Sequence, residues 1–186
     1  DCRDYLARIK ELFKAIEVND MERAEKLLIG LDINGQDKRG ITPLYKSVFH
    51  NRLSFVQLLL QRGADANLTD NEGLSPLHIA ALEDLNQLVP ILLDQGAELE
   101  AKDSFGYTSF HLATDQGSAK AAGALIERNA NVNNRSSWGN TPLHASITQG
   151  DMNLVKLLFK KKADIGAIDR LGRSTLHWVA EKGYLS

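Results

Sequence analysis

Five glycines rule this chain. Gly40, Gly73, Gly106, Gly139 and Gly172 fall 33 residues apart without a slip. Two residues after each stands a hydroxyl: Thr42, Ser75, Thr108, Thr141 and Ser174. Four residues after each stands an apolar anchor: Leu44, Leu77, Phe110, Leu143 and Leu176. The next position holds Tyr45, then His78, His111, His144 and His177. One insertion between Gly40 and Gly172 would break the register. A strict period of this length means a stack of equivalent units, each too small to bury its apolar faces alone.

The same logic runs inside every unit. Gly permits a tight turn, and the hydroxyl two residues on caps a helix. Pro43, Pro76 and Pro142 sit at the first helical position, where a missing N–H costs nothing. A short inner helix such as Pro76–Leu82 follows, and breaks near Asn51, Asp84, Gly117 or Gly150. A second helix ends on a paired apolar step: Leu59-Leu60, Leu92-Leu93, Leu125-Ile126 and Leu157-Leu158. Gly63 and Gly96 then serve as left-handed C-caps; Asn129 adopts that conformation with some strain, and Lys162 is a weaker cap.

These residues resemble a known family. Thr42-Pro43-Leu44-Tyr45, Ser75-Pro76-Leu77-His78-Ile79-Ala80-Ala81 and Thr141-Pro142-Leu143-His144 are similar to the signature of ankyrin repeats. Gly63-Ala64-Asp65-Ala66-Asn67 and Asn129-Ala130-Asn131-Val132-Asn133 resemble the segment that closes each such repeat. The resemblance covers about residues 4–186. It implies an all-α ankyrin-repeat solenoid with turn fingers, in six units: 1–36, 37–69, 70–102, 103–135, 136–168 and an incomplete 169–186.

Both ends are informative. Residues 5–28 read as two helices, and Asp32-Ile33-Asn34 repeats the closing motif, so this is a first repeat without its own turn. Arg3, Arg8, Lys10, Glu11, Lys14 and Glu17 supply the polar outer face that a cap needs. Gly172 to Gly183 completes an inner helix and the chain stops at Tyr184-Leu185-Ser186; with Asp1 rather than Met at the start, a fragment of a longer array is expected. In the fourth unit Ala119, Ala121, Ala122, Gly123 and Ala124 make a small outer helix, and Ser109 replaces Pro, so this unit is expected to be the softest. Pro90 either kinks the third outer helix or marks a late start.

Charge excludes some functions. Lys plus Arg number 22 against 24 Asp plus Glu, a net charge of −2, which removes the case for general nucleic-acid binding. No apolar run approaches the ~18 residues of a membrane span. The single Cys2 rules out an internal disulfide framework and suits a reducing compartment, so a cytoplasmic, monomeric stack is expected, with the nucleus also open.

Catalytic and metal sites find no support. Histidines one repeat apart lie ~8–10 Å from one another, too far to share an ion whose ligands sit ~2.1 Å away. The family resemblance assigns them instead to hydrogen bonds within the turn. His50 lacks a second ligand at i+4, and Cys2 has no His nearby. There is no nucleophile elbow and no Gly-rich phosphate loop, so no enzyme activity, metal or cofactor is expected. Lys160-Lys161-Lys162 closes an outer helix, where positive charge favours the dipole.

The resemblance implies binding of another protein along a concave face built from the turn tips and the inner helices. Only 12 of 186 residues are aromatic, yet Phe105, Tyr107 and Trp138 map to adjacent tips. Either they anchor a partner, or they pack from tip to tip. Glu72, Glu83 and Asp115 form an acidic edge beside them; Leu74, Leu82 and Asn140 belong to the same face, with Arg39 and Arg173 at its ends. The expected partner is a protein or peptide segment with apolar and Lys or Arg side chains. An architectural spacer, or an array docking on its own chain, is the alternative. Trp178 reads as packing. Asn67 and Asn133 resemble sites that an asparaginyl hydroxylase modifies in ankyrin repeats, although the same Asn is routinely structural.

Overall fold

A computed structural model describes residues 2–183, with side chains from Asp4 onward. The side chains of Cys2 and Arg3 and the 184–186 end lie outside the described residues. Antiparallel helix pairs follow one another along the chain: α1 (Cys2–Glu17) with α2 (Met21–Leu28), α3 (Pro43–Phe49) with α4 (Leu53–Gln61), α5 (Pro76–Leu82) with α6 (Leu88–Asp94), α7 (Ser109–Gln116) with α8 (Ala119–Glu127), and α9 (Pro142–Gln149) with α10 (Met152–Lys160). An unpaired inner helix, α11 (Thr175–Glu181), closes the described residues. The expected all-α solenoid is what the chain forms; the only extended pairing among the described residues is one bridge between Ile168 and Ser174.

The inner helices α1, α3, α5, α7, α9 and α11 pack on one another in a continuous row. Small residues make that approach possible: Ser47, Ala80, Ala113 and Ser146 occupy one repeat position and are fully buried. The apolar anchors Leu44, Leu77, Phe110 and Leu143 fill the space between inner and outer rows, as do Leu59, Leu92, Leu125 and Leu158 from the outer helices. Leu158, not Leu157, thus begins the fifth unit's apolar step; its neighbour Phe159 is exposed. Leu176 stands at the anchor position but is 64% exposed, because no outer helix follows α11 among the described residues.

Caps and breaks explain why the helices are short. Thr42 Oγ1 accepts the N–H of Tyr45 at 3.1 Å, and Ser75, Thr108, Thr141 and Ser174 form reciprocal capping boxes with the His three residues on. Asn51, Asp84, Gly117 and Gly150 all take positive φ between inner and outer helices. Asn129 (φ 64°) and Lys162 (φ 61°) adopt the same left-handed C-terminal conformation as Gly63 and Gly96, at a cost of about 1 kcal/mol each for a side chain there. Helix α6 starts at Leu88, two residues later in its repeat than α4 does, so Pro90 lies in its first turn and needs no N–H partner.

Helix α1 departs from the repeat. It has 16 residues against seven or eight in the other inner helices, and its extra turns occupy the level where the other units carry a tip. Tyr5 packs against Gly35, where a Cβ would collide with the phenol oxygen. Arg8 Nη2 donates to the carbonyls of Leu27 (3.0 Å) and Ile29 (2.7 Å), satisfying the end of α2.

Candidate partner-binding face

An aspartate organises most of the tips. Asp103 Oδ1 accepts the N–H groups of Phe105 (2.9 Å) and Tyr107 (2.8 Å). Asp37, Asp70 and Asp169 do the same for the first, second and fifth tips. In the fourth tip Ser136 replaces the carboxylate, and its Oγ accepts only the Trp138 N–H, at 3.2 Å. Sequence reasoning passed over these aspartates, although they stand three residues before four of the five glycines at the same 33-residue period.

Neighbouring tips are then joined through main chain. The N–H groups of Asn71, Ser104, Ser137 and Arg170 donate to the carbonyls of Arg39, Glu72, Phe105 and Trp138, each at 2.9–3.0 Å. Arg39, Glu72, Phe105, Trp138 and Leu171 therefore form one column of exposed side chains, in which the first four carbonyls are locked by the next tip. Phe105 is 55% exposed, Trp138 59% and Leu171 77%. The aromatic contacts of the described residues do not join Phe105 to Trp138; the tips pair by backbone instead. Leu171 extends the apolar run by one unit, and its place at the same repeat position was the signal for it.

The column two residues on turns the other way. Ile41 is buried, and Leu74, Tyr107, Asn140 and Arg173 are half-buried. Tyr107 thus differs from the expected exposed tip residue: its ring meets the His111 ring edge to face at 5.8 Å. Burial pushes its phenol above the ordinary value, and the Asp115 carboxylate acts in the same direction. Arg173 is also held inward, with Nε 2.8 Å from Asp169 Oδ2 and its guanidinium 4.6 Å from the Trp178 ring. Trp178 packs as expected, half-buried, with its ring against that of His144 at 5.7 Å.

Glu72, Glu83 and Asp115 are exposed, while Leu82 on α5 packs its half-buried side chain on the core. Asn67 and Asn133 lie away from this face and bridge units. Asn67 Oδ1 accepts the Glu98 N–H at 2.8 Å and its Nδ2 donates to the Gly96 carbonyl; Asn133 repeats both bonds with Asp164 and Lys162. His50 sits beside Glu17, with Nε2 3.9 Å from Oε1, and burial lowers its pKa. Among the described residues no three His, Cys, Asp or Glu side chains gather to hold a metal ion, and no helix is long and apolar enough to cross a membrane.

The family model described as "Ankyrin repeats (3 copies)" matches residues 12–103, 56–136 and 110–186. Together with the stacked helix pairs and joined tips, this places the chain in the ankyrin-repeat family, whose repeats generally serve as protein–protein interaction modules. No curated protein matches the chain.

Proposed function

We propose that the chain is a non-enzymatic recognition scaffold that takes a segment of another protein along its concave face. Apolar side chains of the partner cover Phe105, Trp138 and Leu171, and Lys or Arg side chains meet Glu72, Glu83 and Asp115. The observation carrying this reading is the run of three exposed apolar tip residues on a locked backbone. A solvated turn has no reason of its own to expose large apolar groups in series, and such groups are typical interface anchors. A backbone already fixed by the tip ladder loses little entropy when a partner settles on it.

The test is affinity co-purification from cell lysate with the wild-type chain and with Phe105→Ala/Trp138→Ala. Tyr107 is left intact because its ring packs against His111. Loss of specific partners with an unchanged melting temperature supports the reading. An unchanged set of partners moves the site off the tip column, and no partner for the wild type favours an architectural spacer.

A further inference from the structure

The long α1 forms a groove with the first tip. About 450 Å³ opens between its first half and the first tip. Leu6, Ala7 and Phe13 give the groove an apolar floor, and Lys10 from α1 with Lys38 and Arg39 from the tip form its rim. All three cations are exposed, and none has a carboxylate within ion-pairing distance among the described residues. The one acid in the lining, Asp37, uses Oδ1 to accept the N–H groups of Arg39 (2.8 Å) and Ile41 (3.0 Å), which holds the turn. Further along α1, Glu11 is engaged by Arg23 and Glu17 by Lys46, the latter at 2.7 Å. Cations from two separate elements therefore converge around an apolar floor and outnumber the one acid in its lining three to one.

We propose that this groove docks an acidic protein segment, with carboxylates on Lys10, Lys38 and Arg39 and one apolar side chain against Leu6 and Phe13. Charge complementarity selects this occupant: the rim repels basic segments and the floor rejects a purely hydrophilic one. The groove meets the tip column only at Arg39, two tips away from Phe105, so variants at Lys10 and Lys38 test it independently of Phe105 and Trp138. The exposed rim also makes the contact salt-sensitive.

A random 12-residue peptide library displayed on phage is panned against the wild-type chain, and enriched peptides are titrated by fluorescence anisotropy. The expected result is enrichment of Asp and Glu around Leu, Ile or Phe. Affinity should fall at least tenfold in Lys10→Glu/Lys38→Glu, weaken with added salt, and persist in Phe105→Ala/Trp138→Ala. If the charge reversal lowers the melting temperature, Lys10→Gln/Lys38→Gln replaces it. The proposal is overturned if nothing is enriched, if the enriched peptides lack acidic residues, or if acidic peptides bind the reversed variant as well. It is equally overturned if a single-stranded oligonucleotide of matching charge displaces the peptide at equal concentration. Self-association of the wild type that the same reversal abolishes would reassign the groove to a second copy of the chain.

Discussion

His111 Nε2 lies 3.2 Å from the main-chain carbonyl of Asn140 in the following unit. On the other side of the ring, Nδ1 accepts the Thr108 N–H at 3.3 Å and meets the Thr108 hydroxyl at 2.9 Å. Only the neutral ring with its proton on Nε2 makes all of these bonds at once. His78 repeats the arrangement between Ser75 and the Tyr107 carbonyl, and Tyr45 replaces it in the second unit by donating its phenol to Asp70 at 2.9 Å. These two imidazoles thus cap their own helices and tie their units to the next.

Stability should depend on these histidines below neutral pH. Burial lowers the His111 pKa from 6.5 to about 4, with the Lys102 charge in the same direction and carbonyl bonds opposing; burial is also the leading cause for His78 and His144. The unfolded chain therefore binds protons that the folded chain refuses. The stabilisation is complete above about pH 6.5 and is lost progressively as pH falls toward about 4, on the order of 3 kcal/mol from His111. Urea denaturation at pH 7.5, 6 and 5, above the main carboxylate range, reads this directly, and His111→Gln should flatten the curve. A midpoint independent of pH across that interval would refute it.

Two glycines with the same backbone should differ sharply in cost. Gly106 (φ 76°) and Gly172 (φ 74°) both hold left-handed turns. A Cβ on Gly106 would fall 2.7 Å from the Ser137 main-chain nitrogen, whereas at Gly172 nothing lies within 4 Å. Gly172→Ala should cost about 1 kcal/mol of backbone strain, and Gly106→Ala at least about 2 kcal/mol, because the next tip must move. Equal losses in denaturant titration would mean that the tip ladder yields freely.

Ser109→Pro should stabilise the chain. Thr108 already has ψ 166°, matching Thr42, Ser75 and Thr141, which precede prolines at ψ 164–167°. Ser109 occupies the first helical position, and its buried Oγ has no hydrogen-bond partner. The substitution restricts the unfolded chain and removes an orphan hydroxyl, for a gain of about 0.5–1 kcal/mol. A lower melting temperature would contradict the fit.

Helix α8 should exchange its amide hydrogens faster than α4. Its core residues include Ala121 and Ala122 where α4 buries larger Phe55 and Val56 nearby, and Gly123 interrupts it. A Cβ at Gly123 meets no atom within 4 Å, so Gly123→Ala should add up to about 1 kcal/mol and slow exchange in α8. Equal exchange in both helices of the wild type would remove the proposed soft spot.

The helix pairs, their caps and the buried anchors were legible because the signals are local and repeat every 33 residues. Leu44, Leu77, Phe110 and Leu143 share a position and a fate. The tip aspartates were equally periodic, but an isolated carboxylate in a loop reads as solvated until the N–H groups it accepts are placed around it. The fifth unit's apolar step was expected at Leu157-Leu158, but Leu158 is the buried member and Phe159 follows it exposed, since a run of apolar residues does not say which of them faces the stack.

Phe105 and Tyr107 mark the boundary between the two kinds of knowledge. Sequence alone determined that both belong to the tip of one unit in an ankyrin stack, since that follows from spacing to Gly106. Only the tertiary structure decided that Phe105 faces solvent while Tyr107 turns onto His111, and that Arg173 is spent on Asp169 and Trp178. The same holds for the basic groove, where Lys10 meets Lys38 and Arg39 across nearly thirty residues of chain. Spacing along a chain carries the periodic backbone, but a side chain's direction and its non-local neighbours exist only once units have stacked.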